Sequence, residues 1–378
     1  MKTSFKAMLG AFGLLTVVSF CAAKPLEWIV VKTPHFSVFT QGNAREAQAW
    51  ATDLERFRIA LGQFLPVAPA RLTPVEVVIF PNGRQFAPYE QLEGGKPSAT
   101  AGYFVPLEVV GAMALERNGA NSDLVRRSIF QGAAYWISAA RGEVLPYWLE
   151  AGMARVFSTF TADAKTFTVG DEIESDVRYL RVDGVPDPRF LLSAQRGKID
   201  FEDPKQTRRF YTGSWLLVHW LTFGAKETAA HGAQPVDFTK PGQDPDDLSR
   251  AAFGADCATL RQWLRDYLLG GRYKRARLPL PAEPLGLAAP RKATEAEVEY
   301  ALGVLLLGVQ RPQEGLPHLI RATELDTKSA LGWETLGLAQ LNLNHRPEAL
   351  AAFDHAIEAG SMNQKVWAAR AVLQREKH

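Results

Sequence analysis

The chain has 378 residues, of which 47% are hydrophobic and 22% are charged, so it can bury a sizeable core and form two folded units. The formal net charge is +2, and two lysines close to the N terminus, Lys2 and Lys6, account for it. The remainder of the chain is neutral, which argues against binding to nucleic acid or to an anionic membrane surface.

The first residues have the pattern of a signal peptide. Lys2 and Lys6 precede an apolar run over residues 8–20, and small residues follow before Lys24. We therefore expect residues 1–23 to be removed and the protein to be exported, either to the periplasm or out of the cell. The apolar run is shorter than the ~20 residues of a membrane-spanning helix, and no later segment is long and uncharged enough, so no transmembrane segment is predicted.

The two cysteines bear on this prediction. A lipoprotein signal with Cys21 as the lipidated residue is the alternative, but Phe20 is larger than the small residue that normally precedes such a cysteine. Cleavage after Ala23 leaves Cys257 as the only cysteine, which then cannot form an internal disulfide. We expect Cys257 to be a buried, small hydrophobic side chain.

Strand patterns precede helix patterns along the chain. Apolar alternation and apolar runs predict strands over residues 26–40, broken at Thr33-Pro34, and over 75–80, 102–105 and 109–115, with a helix at 44–64. Helical spacing then predicts four helices, at residues 123–140, 146–160, 208–223 and 260–269. This order is typical of an α+β fold, in which a small N-terminal sheet lies beside a helical body.

A segment rich in proline and alanine separates two parts of the chain. Residues 278–292, with the sequence LPLPAEPLGLAAPRK, are predicted to be a linker. The first domain is then expected over residues 24–277, and a helical module over residues 293–378.

Two of the predicted helices carry a family resemblance. Leu145-Pro146-Tyr147-Trp148-Leu149, with Gly152, Ala154 and Phe157 after it, is similar to a segment of the exported gluzincin-like (peptidase MA-like) zinc peptidases with tetratricopeptide tails. In that family the segment follows a His-Glu-x-x-His helix. Residues 28–36 and 210–220 resemble the family's first strands and a later helix, so the resemblance covers most of residues 26–270. It implies a zincin-like helical body for the first domain.

The zinc site of that family is degenerate in this chain. Two histidines four residues apart hold Zn²⁺ in such a site, the glutamate between them is the general base, and a carboxylate from the next helix is the third ligand. The resemblance places Gln131 and Tyr135 at the histidine positions, Gly132 at the base and Ala151 at the third ligand. Glu150 is one residue out of register, about 100° around the helix. We therefore expect no catalytic residue, no metal and no cofactor, although the family binds zinc.

Two interpretations of this region remain open. The lost site would leave a cavity for a peptide or small ligand, surrounded by six aromatic side chains: Tyr135, Trp136, Tyr147, Trp148, Tyr211 and Trp215. Alternatively, these side chains fill the space of the missing metal site. The sequence QGAAYW is also compatible with an ordinary buried helix in an unrelated domain.

Other catalytic motifs are missing from the sequence. No Gly-x-Ser-x-Gly elbow, Walker loop or dinucleotide fingerprint occurs at a strand-to-helix junction, and Ser214 is expected to serve in helix packing. His35, His219 and His231 have no histidine four residues away, so we expect each to be hydrogen-bonded or on the surface. Acidic clusters at residues 171–174 and 244–247 are predicted to be solvated loops, with calcium binding as the alternative.

The C-terminal module repeats with a period of 34 residues. Gly303 corresponds to Gly337, and Trp333 corresponds to Trp367. The pattern resembles the tetratricopeptide repeat, a helix-turn-helix unit that packs through small residues. We expect two units, at residues 296–329 and 330–363, and a capping helix at 364–378. Because two units bury little surface, the module should dock on the first domain or on a partner.

In a tetratricopeptide fold, the first helices of the units line a concave face. We expect seven residues to be exposed on it: Tyr300, Val304, Glu334, Leu338, Leu341, Asn342 and Arg375. The face mixes apolar and polar side chains and lacks the Lys and Arg cluster that would clamp an acidic peptide end. It is a candidate surface for another exported protein or peptide, and a purely stabilising extension is the alternative.

Taken together, these patterns favour a non-catalytic, exported pseudopeptidase that binds or scaffolds another exported protein through its repeats. An active metallopeptidase, or another hydrolase with a rebuilt site, would retain the same frame and is the alternative. In a third hypothesis the repeats serve assembly and the first domain is a spacer.

Overall fold

The central sheet of the fold has six strands. The strands are β1 (Trp28–Lys32), β2 (Phe36–Gln41), β3 (Val75–Phe80), β6 (Gly102–Pro106), β7 (Gly111–Glu116) and β11 (Arg291–Lys292). The structure is a computed structural model, and it describes residues 27–68, 71–93, 96–97, 101–117, 123–142, 144–195, 199, 203–224, 242–271 and 273–376. The strand order is β11-β1-β2-β3-β7-β6. Strands β2, β3 and β7 are parallel, and β1, β6 and β11 pair antiparallel with their neighbours. The predicted signal peptide, with Cys21, lies outside the described residues.

Five shorter strands lie outside this sheet. A hairpin is formed by β4 (Leu92–Glu93) and β5 (Lys96–Pro97). A three-stranded sheet is formed by β8 (Thr161–Ala162), β9 (Thr166–Val169) and β10 (Ala276–Pro279), with β9 in the middle.

The helices of the first domain precede those of the C-terminal module. The first set is α1 (Ala44–Gly62), α2 (Gly83–Phe86), α3 (Asp123–Ala140), α4 (Tyr147–Phe157), α5 (Glu174–Asp183), α6 (Pro188–Leu192), α7 (Pro204–His219), α8 (Pro245–Phe253) and α9 (Cys257–Gly270). The second set is α10 (Glu295–Gly308), α11 (Pro312–Leu325), α12 (Ala330–Asn342), α13 (Arg346–Glu358) and α14 (Gln364–Glu376). This is the mixed α+β fold that the sequence predicted, with a sheet near the N terminus and helices after it. Among the described residues, no helix is long and apolar enough to cross a membrane.

Both faces of the central sheet are covered, which explains the apolar run in β3. Val75, Val77 and Ile79 belong to one core, together with side chains of α1, α3 and α4. Val78 and Phe80 belong to a second core, together with side chains of α10. A strand that is buried on both faces has no solvent side and therefore does not alternate between apolar and polar residues.

The C-terminal helices dock on the second face of the sheet. Val304 of α10 is fully buried in the core that they share. At the end of α10, a Cβ at Gly308 would lie only 2.7 Å from the Cβ of Ala112 in β7, so the glycine allows the helix to approach the strand. The sheet thus contributes to the core in which the C-terminal helices are buried.

This docking leaves the predicted concave face only partly open to solvent. The prediction that Val304 and Glu334 are exposed is wrong. The shared core covers Val304, while the buried Glu334 carboxylate accepts hydrogen bonds from the Ser361 hydroxyl at 2.5 Å and from the Asn363 amide at 3.1 Å. Of the other five residues of the face, three are half-buried: Tyr300, Leu338 and Leu341. The remaining two, Asn342 and Arg375, are exposed.

The segment predicted to be a linker is hydrogen-bonded to the first domain. Its first residues belong to β10, which pairs with β9, and its last residues form β11, which pairs with β1. Between these strands, the backbone N–H of Leu280 donates to the Lys165 carbonyl, and that of Ala288 donates to the Lys32 carbonyl, both at 2.8 Å. Residues 278–292 therefore fix the helical module to the sheet and are not a free tether.

Both acidic clusters lie where a loop runs into a helix. The loop prediction holds for residues 171–173 and for Asp244, but Glu174, Asp246 and Asp247 belong to first helical turns, so for these three it is wrong. Asp244 caps α8, because its side chain accepts hydrogen bonds from the backbone N–H groups of Asp246 and Asp247 at 2.8 and 3.1 Å. Pro245 follows at the first helical position, where its missing N–H costs nothing. Likewise, Glu174 begins α5. Acidic side chains are favourable in a first helical turn, where the helix dipole is positive.

Candidate functional site

The residues aligned with a zinc site lie on α3 and α4, which pack together beside α7. Gln131 and Tyr135 are one turn apart on α3, and the Tyr135 hydroxyl is buried. Burial, and then the neighbouring phenols of Tyr211 and Tyr147, raise the pKa of Tyr135 above its ordinary value. The phenol therefore stays protonated, within a cluster of three tyrosines from three helices.

Gly132 is a point of close contact between α3 and the sheet. A Cβ at this position would lie 2.4 Å from the Cβ of Phe104 in β6 and 3.0 Å from the Phe104 carbonyl oxygen. Real Cβ atoms do not come so close to another carbon, so any side chain here would push the helix away from the strand. The position that the resemblance gives to the general base has no room for a glutamate.

The third ligand position lies in a tight helix contact. Ala151 of α4 is fully buried, and its neighbour Glu150 is buried as well. One residue further, a Cβ at Gly152 would lie 2.4 Å from the backbone carbonyl oxygen of Ser214 in α7. Ser214 is itself fully buried at this contact, as expected for a residue that serves in helix packing.

The four aligned positions do not fit a zinc ion. Protein zinc sites use cysteine, histidine and carboxylate ligands. Here Gln131 offers only a weakly binding amide oxygen, the Tyr135 phenol is held in its protonated form, and Ala151 offers a methyl group. In the part of the chain that the structure describes, no group of three or more His, Cys, Asp or Glu side chains is placed to hold a metal.

The six aromatic residues belong to or pack against one hydrophobic core, which favours the interpretation that they fill space over the interpretation that they surround a cavity. The tyrosines come together, but the three tryptophans lie in different places. Trp136 points to the sheet, where its indole N–H donates to the Thr73 hydroxyl at 3.1 Å. Trp148 packs edge-on against Phe253 of α8, and Trp215 is buried beside His219. Their directions depend on neighbours that are distant in sequence.

The two described histidines of the first domain are hydrogen-bonded, as predicted. His35 Nδ1 lies 3.0 Å from the carboxylate of Glu55. His219 is fully buried, with its ring nitrogens 2.8 Å from the Tyr267 hydroxyl and 2.9 Å from a backbone carbonyl. Burial lowers the pKa of His219, so its ring stays neutral. His231 lies outside the described residues.

Cys257 is fully buried at the start of α9, as predicted. Burial, together with the nearby Asp246 carboxylate, raises the pKa of its thiol to about 12. Its backbone N–H donates to that carboxylate at 2.8 Å, and its Sγ lies 3.3 Å from the Pro245 carbonyl oxygen. The thiol is therefore a packed and protonated side chain that connects α9 to α8.

A cavity that the sequence reasoning missed lies between the sheet and the helical module. It has a volume of about 230 Å³, and Lys32, Phe39, Glu76, Glu297 and Tyr300 are among the residues that line it. Glu76 is the one charged residue of β3, and it is only 5% exposed. A carboxylate within a strand that is otherwise apolar was the signal in the sequence that could have located this cavity.

The two glutamates of this cavity have opposite electrostatic environments. Although burial raises the pKa of Glu297, hydrogen bonds from Arg291 and Lys32 bring it well below its usual range. The Glu297 carboxylate lies 2.5 Å from the Arg291 guanidinium and 2.7 Å from Lys32 Nζ. At Glu76, by contrast, burial outweighs the charge of Lys32 and the Ser37 hydroxyl and raises the pKa to about 8.

A second feature is the exposed face of α14. The indole N–H of Trp333 donates to the Thr327 carbonyl at 3.0 Å, and 34 residues later that of Trp367 donates to the Ser361 carbonyl at 3.1 Å. His355 of α13 covers the Trp333 ring, with 4.5 Å between ring centroids. The equivalent Trp367 is 46% exposed.

The comparisons with known proteins add no relative. The chain matches no protein-family description, no curated protein and no solved structure among those compared with it. The similarity to gluzincin-like peptidases and to tetratricopeptide repeats therefore stays a prediction from the sequence.

Proposed function

We propose that the protein is non-catalytic and binds an amphipathic helix of another exported protein on the exposed face of α14. The observation that carries this proposal is the difference between Trp333 and Trp367. Both tryptophans anchor their indole N–H in the same way, but within the part of the chain that the structure describes a following helix covers only Trp333. Ala371, one turn after Trp367 on the same side of the helix, is exposed as well, so this face of α14 presents apolar side chains to solvent. Exposed apolar patches are typical of interaction sites.

The repeat suggests how a partner helix would approach. On α12, Gly337 lies against the Phe353 ring of α13, so close that a Cβ there would be 2.4 Å from the ring. The corresponding residue of α14 is Ala371, which is also small and is exposed. A helix that packs on α14 as α13 packs on α12 would place an apolar side chain over Ala371 and cover Trp367.

Charge favours an acidic partner over a second copy of this chain. Lys365 and Arg375 are exposed near the two ends of α14. A helix with Asp or Glu along the edges of its apolar face would complement them. Two copies of α14 packed on each other would instead bring like charges together. We therefore assign the face to a different protein.

Site-specific cross-linking tests this assignment. A photo-crosslinking phenylalanine analogue at position 367 of the full chain, in the cells that produce it, should capture a segment that mass spectrometry can identify. We expect an amphipathic helix with acidic residues at its edges. A synthetic peptide of that segment should bind the purified full chain, and Trp367→Ala should weaken its binding by at least about 10-fold, because a buried tryptophan contributes strongly at interfaces.

The matched control is Ile320→Ala, which removes an exposed apolar side chain on α11 and should leave binding of the peptide unchanged. The proposal fails if the captured segment belongs to a second copy of the chain. It also fails if the peptide binds the Trp367→Ala variant as tightly as the original protein.

The non-catalytic part of the proposal is supported by the chemistry of the aligned positions and has its own test. The purified full chain, dialysed against zinc and then against metal-free buffer, should retain far less than one zinc per chain. It should also leave a mixed peptide library uncleaved, with or without a chelator. Near-stoichiometric zinc, together with cleavage that the chelator abolishes, would establish the hydrolase alternative.

A further inference from the structure

Glu76 is a buried carboxylate that faces a cavity and lacks a counter-ion of its own. The nearest cation of the cavity, Lys32, forms an ion pair of 2.7 Å with Glu297, and Arg291 pairs with the same carboxylate at 2.5 Å. Both of these cations are in direct contact with Glu297, and Lys32 attracts Glu76 only over a longer range. Among the described residues, Glu76 takes part in no ion pair; it receives this attraction of Lys32 and a hydrogen bond from the Ser37 hydroxyl, and burial outweighs both.

A buried carboxylate without a partner is unfavourable, so something must compensate its charge. A proton can do so, and so can a bound cation. A proton and a bound cation would compete for the same carboxylate oxygen atoms of Glu76. The cavity beside Glu76 provides space for a bound cation.

We propose that this cavity binds a small organic cation with a primary ammonium group, which pairs with Glu76. The walls next to the carboxylate suit such a ligand. The Ser37 hydroxyl can accept a hydrogen bond from the ammonium group, and the Phe39 and Tyr300 rings can contact its carbon atoms. The cavity of about 230 Å³ is larger than the ~150 Å³ that accommodates benzene in an engineered protein core.

The charges of the cavity select against other ligands. Lys32 and Arg291 both pair with Glu297, so the carboxylates of the lining that take part in no ion pair among the described residues are those of Glu76 and the exposed Asp326. An anionic ligand would therefore be repelled. A divalent metal takes six or more oxygen ligands as Ca²⁺ or an octahedral shell as Mg²⁺, whereas Glu76 offers one unpaired carboxylate.

Ligand binding should depend on pH through Glu76. The charged groups around it are Lys32 from β1, Glu297 from α10 and Asp326 after α11, while burial raises the pKa of the nearby Tyr300 phenol and keeps it neutral. Since the pKa of Glu76 is raised to about 8, the empty cavity holds a proton at lower pH. A cation must displace that proton, so affinity should fall about 10-fold for each pH unit below this pKa.

Thermal unfolding of the full chain with n-butylammonium chloride tests the proposal, with sodium butyrate and 1-butanol as ligands of similar size and different charge. At equal ionic strength and about pH 9, butylammonium should raise the melting temperature in a saturable way, whereas butyrate and butanol should not. The rise should largely disappear at about pH 6, where Glu76 is protonated. Glu76→Gln should abolish the rise at both pH values, and Asp326→Asn should keep most of it.

A second variant addresses the shape of the cavity independently of charge. Ala296→Leu adds side-chain volume to the cavity wall and should reduce the effect of butylammonium at about pH 9 while leaving Glu76 in place. The proposal is overturned if butylammonium and butyrate act alike, if Glu76→Gln keeps the response, or if Ala296→Leu responds as the original chain does.

Discussion

Replacing Glu76 with glutamine should raise the free energy of unfolding by roughly 4 kcal/mol near pH 9 and should change it little near pH 4. The pKa of Glu76 is raised to about 8 in the folded protein, against an ordinary value of 4.5. The folded state therefore binds this proton more tightly than the unfolded state does. As the pH rises from 4.5 to 8, the original protein loses stability at this residue, whereas glutamine has no proton to lose.

Denaturant unfolding of both proteins across this pH range measures the effect, and other titrating groups cancel in the difference between the two. The exposed Glu324→Gln, on the outer surface of α11, is the matched control and should change stability by less than ~0.5 kcal/mol throughout. A difference between Glu76→Gln and the original protein that stays constant from about pH 4 to 9 would mean that Glu76 is solvated and not enclosed by the helical module.

Adding a single methyl group at Gly132 should lower the free energy of unfolding by roughly 2–4 kcal/mol, because the new Cβ would overlap Phe104. The atoms in its way are the Cβ and the backbone carbonyl of a β-strand, which cannot turn aside as a flexible side chain can. Helix α3 would have to shift, and with it the tyrosine cluster at Tyr135. Gly132→Ala thus reports on the packing that positions the candidate site.

Gly62→Ala is the control for this substitution. Gly62 is the last residue of α1, and nothing lies within 4 Å of the Cβ that it would acquire. Alanine should therefore stabilise the protein there, by up to ~1 kcal/mol, through its higher helix propensity. If urea unfolding gave the same sign for both variants, α3 would not pack on β6 as described. Placing a glutamate at position 132 should be more damaging still, since it adds a longer, charged side chain at the same contact.

The elements that the sequence predicted best are those with long periodic patterns and clear boundaries. The helix predicted over residues 123–140 is observed as Asp123–Ala140. The helix predicted from residue 208 instead begins at Pro204, because Asp203 caps it and proline occupies its first turn. The strands β8 to β10 were not predicted, since each is short and β10 pairs with a strand about a hundred residues earlier in the chain.

The candidate site was predictable in its chemistry but not in its geometry. The absence of zinc ligands at Gln131, Gly132, Tyr135 and Ala151 can be read directly from the sequence. The orientation of the three tryptophan side chains could not be predicted, because it depends on contacts with segments that are distant in the sequence. The cavity at Glu76 was missed for a related reason. Both of its walls come from distant segments, and only the docking of α10 on β3 brings them together.

The pairing of β11 with β1 has a consequence for how the chain folds. The first strand of the sheet gains one of its neighbours only when residues 291–292 arrive, at the far end of the first domain. Contacts between such distant segments are slow to form, because a long loop must close before they contribute. Until then the second face of the sheet lacks the cover of α10, and only nearby residues such as Phe86 and Tyr89 pack on it, against Phe80. Nascent chains that stop short of α10 should therefore be the species most in need of a chaperone.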